Sequence, residues 1–240
     1  MIKVDQAVKT YGRKRALDGV SAEFRNGQII GIVGENGSGK STLLKMMAGL
    51  LLPDSGSVEI GGTPVTRTLA GREIAYMADA DLFFPYFNTE QLFGFYATQF
   101  DDFSIQKARQ AADFLGLDRS VKLKSLSKGN RGRAKIAATL GREPEAYLLD
   151  EPFSGLDPMV RGEIVKGLIR FTDPERQVVI MTTHELQDAA PLLDEIAVMK
   201  AGRIIAHESA EEIRENHRGG PSAWMKSLYE KERDPIGARS

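Results

Sequence analysis

The sequence predicts an α/β fold with antiparallel strands at its N-terminal end and an α-helical lobe inserted between later strands. Three observations carry that reading. The first 24 residues alternate apolar and polar side chains in the way of half-exposed strands. Short, continuous apolar runs at 29–33, 147–149, 178–181 and 196–199 suit strands covered on both faces, and helical segments separate them. Residues 88–142 read as helix almost throughout.

In chain order, MIKVDQAV and ALDGVSAEF are the half-exposed strands, and QIIGIV is the first buried one. A glycine-rich turn follows, and KSTLLKMMAGLL reads as a helix that stops at the breaker cluster LLPDSG. A short strand is expected at 57–60 and another at EIAYM. The lobe then contributes TEQLFGFYATQF, SIQKARQAADFLGL and NRGRAKIAATLGR, with Ser104 the expected N-cap of the second. Strands resume at 147–149, 178–181 and 196–199, with helical segments near 157–170 and 184–192. The tail after Gly220 reads as a short helix and a frayed end, with Trp224 as an amphipathic anchor; His207 and His217 have no motif around them and read as surface residues. The expected organisation is one domain over 1–216, holding the lobe at about 88–142, and a terminal helix and tail over 217–240.

Composition narrows the function. The chain has 240 residues, 42% hydrophobic and 27% charged, enough for a sizeable core in one domain or one domain with a small lobe. With 32 Lys plus Arg against 33 Asp plus Glu, the net charge of -1 supplies no basic field for nucleic acid or an anionic membrane. Cysteine is absent, which removes disulfides, thiolate nucleophiles and Cys-ligated metals. The first ten residues have neither a signal-peptide nor a transit-peptide pattern, and no apolar stretch approaches the ~18 residues that would suggest a membrane span.

The strongest motif is Gly34-Glu35-Asn36-Gly37-Ser38-Gly39-Lys40-Ser41-Thr42, a G-x-x-x-x-G-K-[ST] sequence between a buried strand and a helix. Its glycines let the backbone curl so that N–H groups point at phosphate oxygens. Lys40 brings a full positive charge to the β- and γ-phosphates, Ser41 offers a hydroxyl to Mg2+, and the helix start turns its positive end to the nucleotide. Kinases, GTPases and motor ATPases all remain open on this motif alone. The second half of the site is the apolar run Ala146–Leu149 ending in Asp150 and Glu151. A carboxylate at the strand tip suits a hard cation, so Asp150 is expected on Mg2+ and Glu151 as the general base for water.

Between these halves, Leu126-Ser127-Lys128-Gly129-Asn130 opens an amphipathic helix and so makes a second anion-binding helix terminus. Ser154-Gly155-Leu156-Asp157 follows Glu151, and His184 ends the strand at 178–181. These elements, in this order, resemble the nucleotide-binding subunit of ATP-binding-cassette (ABC) transporters, from Tyr11 to about Arg214. The resemblance implies a P-loop NTPase with a RecA-like mixed core sheet, and ATP and Mg2+ as ligands. It implies Tyr11 as the aromatic that stacks on adenine, LSKGN as the signature, SGLD with Asp157 as the D-loop and His184 as the switch histidine. It further implies a head-to-tail dimer, in which Ser127, Gly129 and Asn130 of one copy cap the γ-phosphate held by Lys40 of the other, with His184 positioning Glu151.

Three departures stand out. Lys128 replaces the first signature glycine and adds positive charge at the phosphate end of the helix; Asn130 replaces the final glutamine and reaches less far. The glutamine expected after EIAYM is Asp79, within Ala78-Asp79-Ala80-Asp81, and is expected to contact the metal. The aromatic segment that follows, with Phe83, Phe84, Phe87, Phe93, Phe95 and Phe100 plus Tyr86 and Tyr96, divides between lobe core and a groove near residues 79–100. In the family that groove receives a transmembrane permease. The expected role is therefore the ATP-hydrolysing, homodimeric subunit of a transporter, peripheral at the cytoplasmic side of the cell membrane and not bound to nucleic acid. LSKGN together with the PYFNTEQL segment looks most like ABC-2-type exporters of peptides, antibiotics or drugs. Alternatives are an importer subunit and a non-transport ABC ATPase that remodels a protein partner; a small-molecule kinase would leave LSKGN, SGLD and His184 idle.

Overall fold

The computed structural model describes residues 1–80 and 84–231. Asp81 and Phe83 of the aromatic segment, and the frayed end expected beyond the last helix, lie outside the described residues. Strands β1 (Ile2–Tyr11) and β2 (Lys14–Phe24) pair antiparallel, burying Ile2, Val4, Leu17, Val20 and Phe24 on one face as the alternation predicts. Strand β3 (Ile29–Val33) is buried along almost its whole length and leads into the glycine-rich turn, after which α1 (Lys40–Met47) begins. β4 (Ser55–Ile60) returns to β1, and the two-residue β5 (Thr63–Pro64) completes a first sheet in the order β2-β1-β4-β5. α2 (Arg67–Glu73) is capped by the Thr66 hydroxyl, which accepts from Leu69 N–H at 3.1 Å, and it leads straight into β6 (Ile74–Met77).

The lobe is built from α3 (Thr89–Gln99), α4 (Ile105–Phe114) and α5 (Lys128–Leu140). Each start carries its own chemistry. Asn88 and Gln91 form a capping box, the Ser104 hydroxyl accepts from Lys107 N–H, and the Ser127 hydroxyl accepts from Asn130 N–H. The chain then returns through β7 (Ala146–Asp150), α6 (Pro158–Phe171), β8 (Val178–Thr183), α7 (Leu186–Ala189), β9 (Glu195–Lys200), β10 (Arg203–Ser209), α8 (Ala210–Asn216) and α9 (Gly220–Lys231).

The second sheet has the order β10-β9-β3-β8-β7-β6. Its strands run parallel except β10, which is antiparallel to β9, so the sheet is mixed. Period-two alternation splits its side chains between two cores. Ile30, Ile32, Leu148 and Ile180 face α1, which lies between the two sheets, while Tyr147, Leu149, Val179 and Met181 face the helical layer with Phe93, Ala137 and Trp224. β8 stands between β3 and β7, so the C-terminal ends of all three strands come together at one edge. Open parallel sheets bind ligands outside such strand ends.

Some expectations shift. α5 begins at Lys128, two residues before NRGRAKIAATLGR, because Ser127 caps it. The helix expected over 184–192 shortens to α7 and a 3-10 turn at Ala190–Leu192, since Pro191 has no N–H to continue it. His207 and His217 are not simple surface residues: His207 Nε2 lies 2.8 Å from Glu195 Oε2, and the His217 ring packs beside Trp224. Trp224 is 2% exposed and packs into the helical-layer core, which anchors α9 there.

Candidate nucleotide site

The phosphate loop joins β3 to α1 with two glycines in the left-handed region, Gly37 at φ +81° and Gly39 at +111°. A Cβ at Gly39 would sit 2.5 Å from the Ala16 carbonyl, so the close approach of β2 demands glycine there. Lys40 is buried, and its ammonium donates to the carbonyls of Gly34 at 2.8 Å and Glu35 at 3.2 Å. Burial pulls this ammonium below its ordinary value, and Glu151, with Oε1 3.6 Å away, opposes that shift. A cavity of about 300 Å3 opens over the loop. It gathers Tyr11, Asn36, Gly37, Gly39, Lys40, Ser41 and Thr42 with Asp79 and Glu151, although these residues come from distant parts of the sequence. Tyr11 is half exposed at its rim, where a planar base has access to the ring.

The ends of β7 and β8 supply the acids. Ser41 Oγ donates to Asp150 Oδ1 at 2.9 Å, tying the phosphate loop to the strand tip. Thr182 Oγ1 donates to the same oxygen at 2.7 Å and also accepts from Glu151 N–H at 3.0 Å. Glu151 adopts φ +50°, a left-handed conformation costly for a side chain with a Cβ, and it persists because these contacts hold it. The His184 ring places Nδ1 2.9 Å from Glu151 Oε2. Tyr76 brings its hydroxyl to 3.5 Å from Asp150 Oδ2; burial, reinforced by that carboxylate, pushes the phenol upward and keeps it a donor.

Thr182 and Tyr76 were not legible as site residues in the sequence. The signal for Thr182 is its place at the tip of an apolar strand two residues before His184. Tyr229 is a third such residue. Its hydroxyl, on α9, donates to the Met199 carbonyl at 3.1 Å and accepts from the phosphate-loop N–H of Glu35 at 3.4 Å.

Ser127, Gly129, Asn130 and Asp157 do not line this cavity. Ser127 caps α5, Asn130 Oδ1 accepts from Arg133 Nη1 at 2.7 Å, Gly129 lies against Val160, and Asp157 caps α6 by accepting from Met159 and Val160 N–H. A single chain thus brings the phosphate loop, Asp150, Glu151 and His184 together and leaves the LSKGN turn apart.

The sequence profile of the family described as ABC transporter matches residues 17–154. The chain belongs to the ABC transporter ATP-binding family. It is 33% identical over 223 residues to a probable sulfate/thiosulfate import ATP-binding protein CysA of Chlorella vulgaris, covering 90% of this chain and 94% of that protein. It is 36% identical over 229 residues to the daunorubicin resistance ATP-binding protein DrrA3 of Streptomyces coeruleorubidus, covering 89% of this chain and 69% of that one. Its fold superposes on the dimeric, ADP- and phosphate-bound ATP-binding cassette MJ0796 with a TM-score of 0.78 at 23% identity, covering 87% and 98% of the two chains.

The cassette is therefore an ABC-type ATPase, with the mixed-sheet P-loop fold expected of one. Its oxygen donors also suit Mg2+. Ser41 Oγ and Asp150 Oδ1 stand 2.9 Å apart, and among the described residues no three His, Cys, Asp or Glu side chains converge on one point. A hard cation that keeps waters and substrate phosphates as ligands needs no larger protein cage. Among the described residues no helix is long and apolar enough to cross a membrane.

Proposed function

We propose that this ABC ATPase drives a separate membrane-spanning permease as a head-to-tail homodimer, exporting a peptide, antibiotic or drug-like molecule. One observation carries the dimer. The LSKGN turn ends in a capped helix N-terminus suited to phosphate, yet it does not line the nucleotide cavity of its own chain. A second copy turned about a two-fold axis uses both surfaces. Ser127, Gly129 and Asn130 of each copy then face the γ-phosphate held by Lys40 of the other, while Asp157 flanks the join.

Within each site Tyr11 stacks on the adenine, and the loop from Gly34 to Thr42 wraps the phosphates. Ser41 and Asp150, with Asp79 across the cavity, would hold Mg2+, which supplies charge neutralisation for the β- and γ-phosphates. Glu151 takes a proton from the attacking water, and His184, at 2.9 Å, fixes the orientation of that carboxylate.

Permease docking is supported by the aromatic groove. Phe84 and Tyr86 are 51% and 70% exposed, with Phe87 and Phe95 stacked beside Phe84. A neighbouring apolar cavity of about 330 Å3 is lined by Leu50, Tyr96, Phe100 and Arg142. Attachment here places the cassette at the cytoplasmic face of the membrane, over an organisation of residues 1–216 as the ATPase unit and 217–240 as a terminal helix and tail. Export is favoured by the LSKGN and PYFNTEQL pattern and by the likeness to the daunorubicin resistance protein.

The test is Glu151→Gln. This variant binds ATP and dimerises in light scattering, and hydrolysis falls by about 10²- to 10⁴-fold, the usual contribution of a general base. A variant that stays monomeric with ATP overturns the dimer, and near-normal turnover removes Glu151 as the base. For direction, inside-out vesicles holding the co-purifying multi-span protein accumulate an amphipathic drug or peptide on ATP addition. Accumulation of a solute by right-side-out vesicles supports the importer reading instead, which the match over 94% of the probable sulfate/thiosulfate importer subunit keeps specific.

A further inference from the structure

The strand tip after β7 separates two cavities. Asp79 and Glu151 line the nucleotide cavity and also a second one, of about 160 Å3, on the side of the helical lobe. Three cationic side chains line this second cavity from one face of α5: Lys128, Arg131 and Lys135, spaced three and four residues apart. Ser154 adds a hydroxyl to the same wall.

Lys128 Nζ lies against the bare backbone of Gly155 in the SGLD loop, 1.9 Å from where a Cβ would stand, and Gly155 has φ +62°, a conformation that favours glycine. Among the described residues Lys128 has no ion-pair partner. Main-chain carbonyls aim the other two cations: Lys135 Nζ donates to Asp79 O at 2.6 Å, and Arg131 Nη1 donates to Leu126 O at 2.8 Å. Among the described residues the cavity is lined by three cations and two carboxylates, and those two carboxylates are the wall it shares with the ATP site.

We propose that this cavity binds inorganic phosphate and is the station that receives the γ-phosphate after hydrolysis. The proposal rests on the reading of Glu151 as the base. In that reaction water oxygen bonds to the γ-phosphorus, and the bridging P–O bond breaks with its electron pair passing to ADP. The water proton goes to Glu151. A tetrahedral phosphate with four oxygen acceptors meets three N–H donors and the Ser154 hydroxyl on the far side. Lys40, which holds the phosphates beforehand, stays with ADP.

The experiment is calorimetric titration of inorganic phosphate into the ADP-saturated full-length protein at low ionic strength. The expected result is saturable binding that Lys128→Gln and Arg131→Gln each weaken by about tenfold, as loss of a charge-assisted bond predicts. Lys128→Arg restores it, and ADP affinity is unchanged in all three. Absence of saturable phosphate binding while ADP still binds overturns the cavity and leaves the nucleotide site standing. So does saturable binding that neither variant weakens, since the ion then sits somewhere other than this cavity. Failure of the wild-type protein to bind ADP strikes the nucleotide site itself, and the proposal with it.

Discussion

Replacing Thr182 by valine keeps the shape of the side chain and removes a hydroxyl that serves both acids of the site. Thr182 is fully buried; its Oγ1 donates to Asp150 Oδ1 at 2.7 Å and accepts from Glu151 N–H at 3.0 Å. The variant leaves Asp150, itself 3% exposed, with one donor fewer and removes the acceptor of the Glu151 amide. A hydrogen bond to a charged group contributes about 1.5–3 kcal/mol, and a buried unsatisfied group costs about 1–3 kcal/mol. Asp150 retains the Ser41 hydroxyl at 2.9 Å, and Glu151 sits at a strand tip that water reaches, so both effects fall toward their lower ends. The expected loss is ~2–3 kcal/mol in urea unfolding, seen as a lower midpoint at unchanged slope. Function falls too. Glu151 is held at φ +50° partly by this bond, and on relaxing it draws its carboxylate away from His184. If that forfeits only about 1.4 kcal/mol of transition-state stabilisation, kcat drops tenfold. The KM for ATP changes little because the phosphate loop is untouched. Thr182→Ser keeps the hydroxyl and recovers kcat. A Thr182→Val protein within about 0.5 kcal/mol of wild type, with unaltered kcat, refutes this account of how the acids are held.

Three further outcomes are expected. Tyr229→Phe removes the hydroxyl bridging Met199 and Glu35, and raises the KM for ATP about two- to tenfold in steady-state assays, the scale of one neutral hydrogen bond, while kcat holds. Trp224→Ala lowers unfolding stability by about 3–5 kcal/mol because it empties a site that is almost wholly enclosed. Asp79→Gln replaces a charge with a neutral amide and moves the Mg2+ concentration dependence of hydrolysis; an unmoved curve makes Asp79 a turn acid only.

Much of the fold was legible because its signals are local. Strands β1 and β2 announce themselves by alternation, and β3, β7, β8 and β9 by unbroken apolar runs. The cap Ser104 is read from the residues next to it, whereas the Ser127 cap, which starts α5 two residues early, was seen only in the structure. α2, β10 and α8 were missed for an equally local reason. RTLAGRE exposes most of its side chains and buries Ala70 alone, and β10 is a half-buried edge strand with no clean period. β5, two residues long, has no pattern to find.

The amino-acid sequence by itself determined the phosphate loop, the paired acids and the LSKGN turn, since each is a short local unit whose defining residues lie within a few positions of one another. The tertiary structure alone decided their company. Placing β8 between β3 and β7 brings the Thr182 hydroxyl to Asp150 and Glu151 across a separation of about thirty residues, and α9 brings Tyr229 to Glu35 across 194. The same packing makes Asp79 and Glu151 a wall between the nucleotide cavity and a cation-lined one. Strand order and helix docking are settled by burial over the whole chain, so no short stretch of residues encodes which distant hydroxyl, ring or cation will stand beside the reacting phosphate.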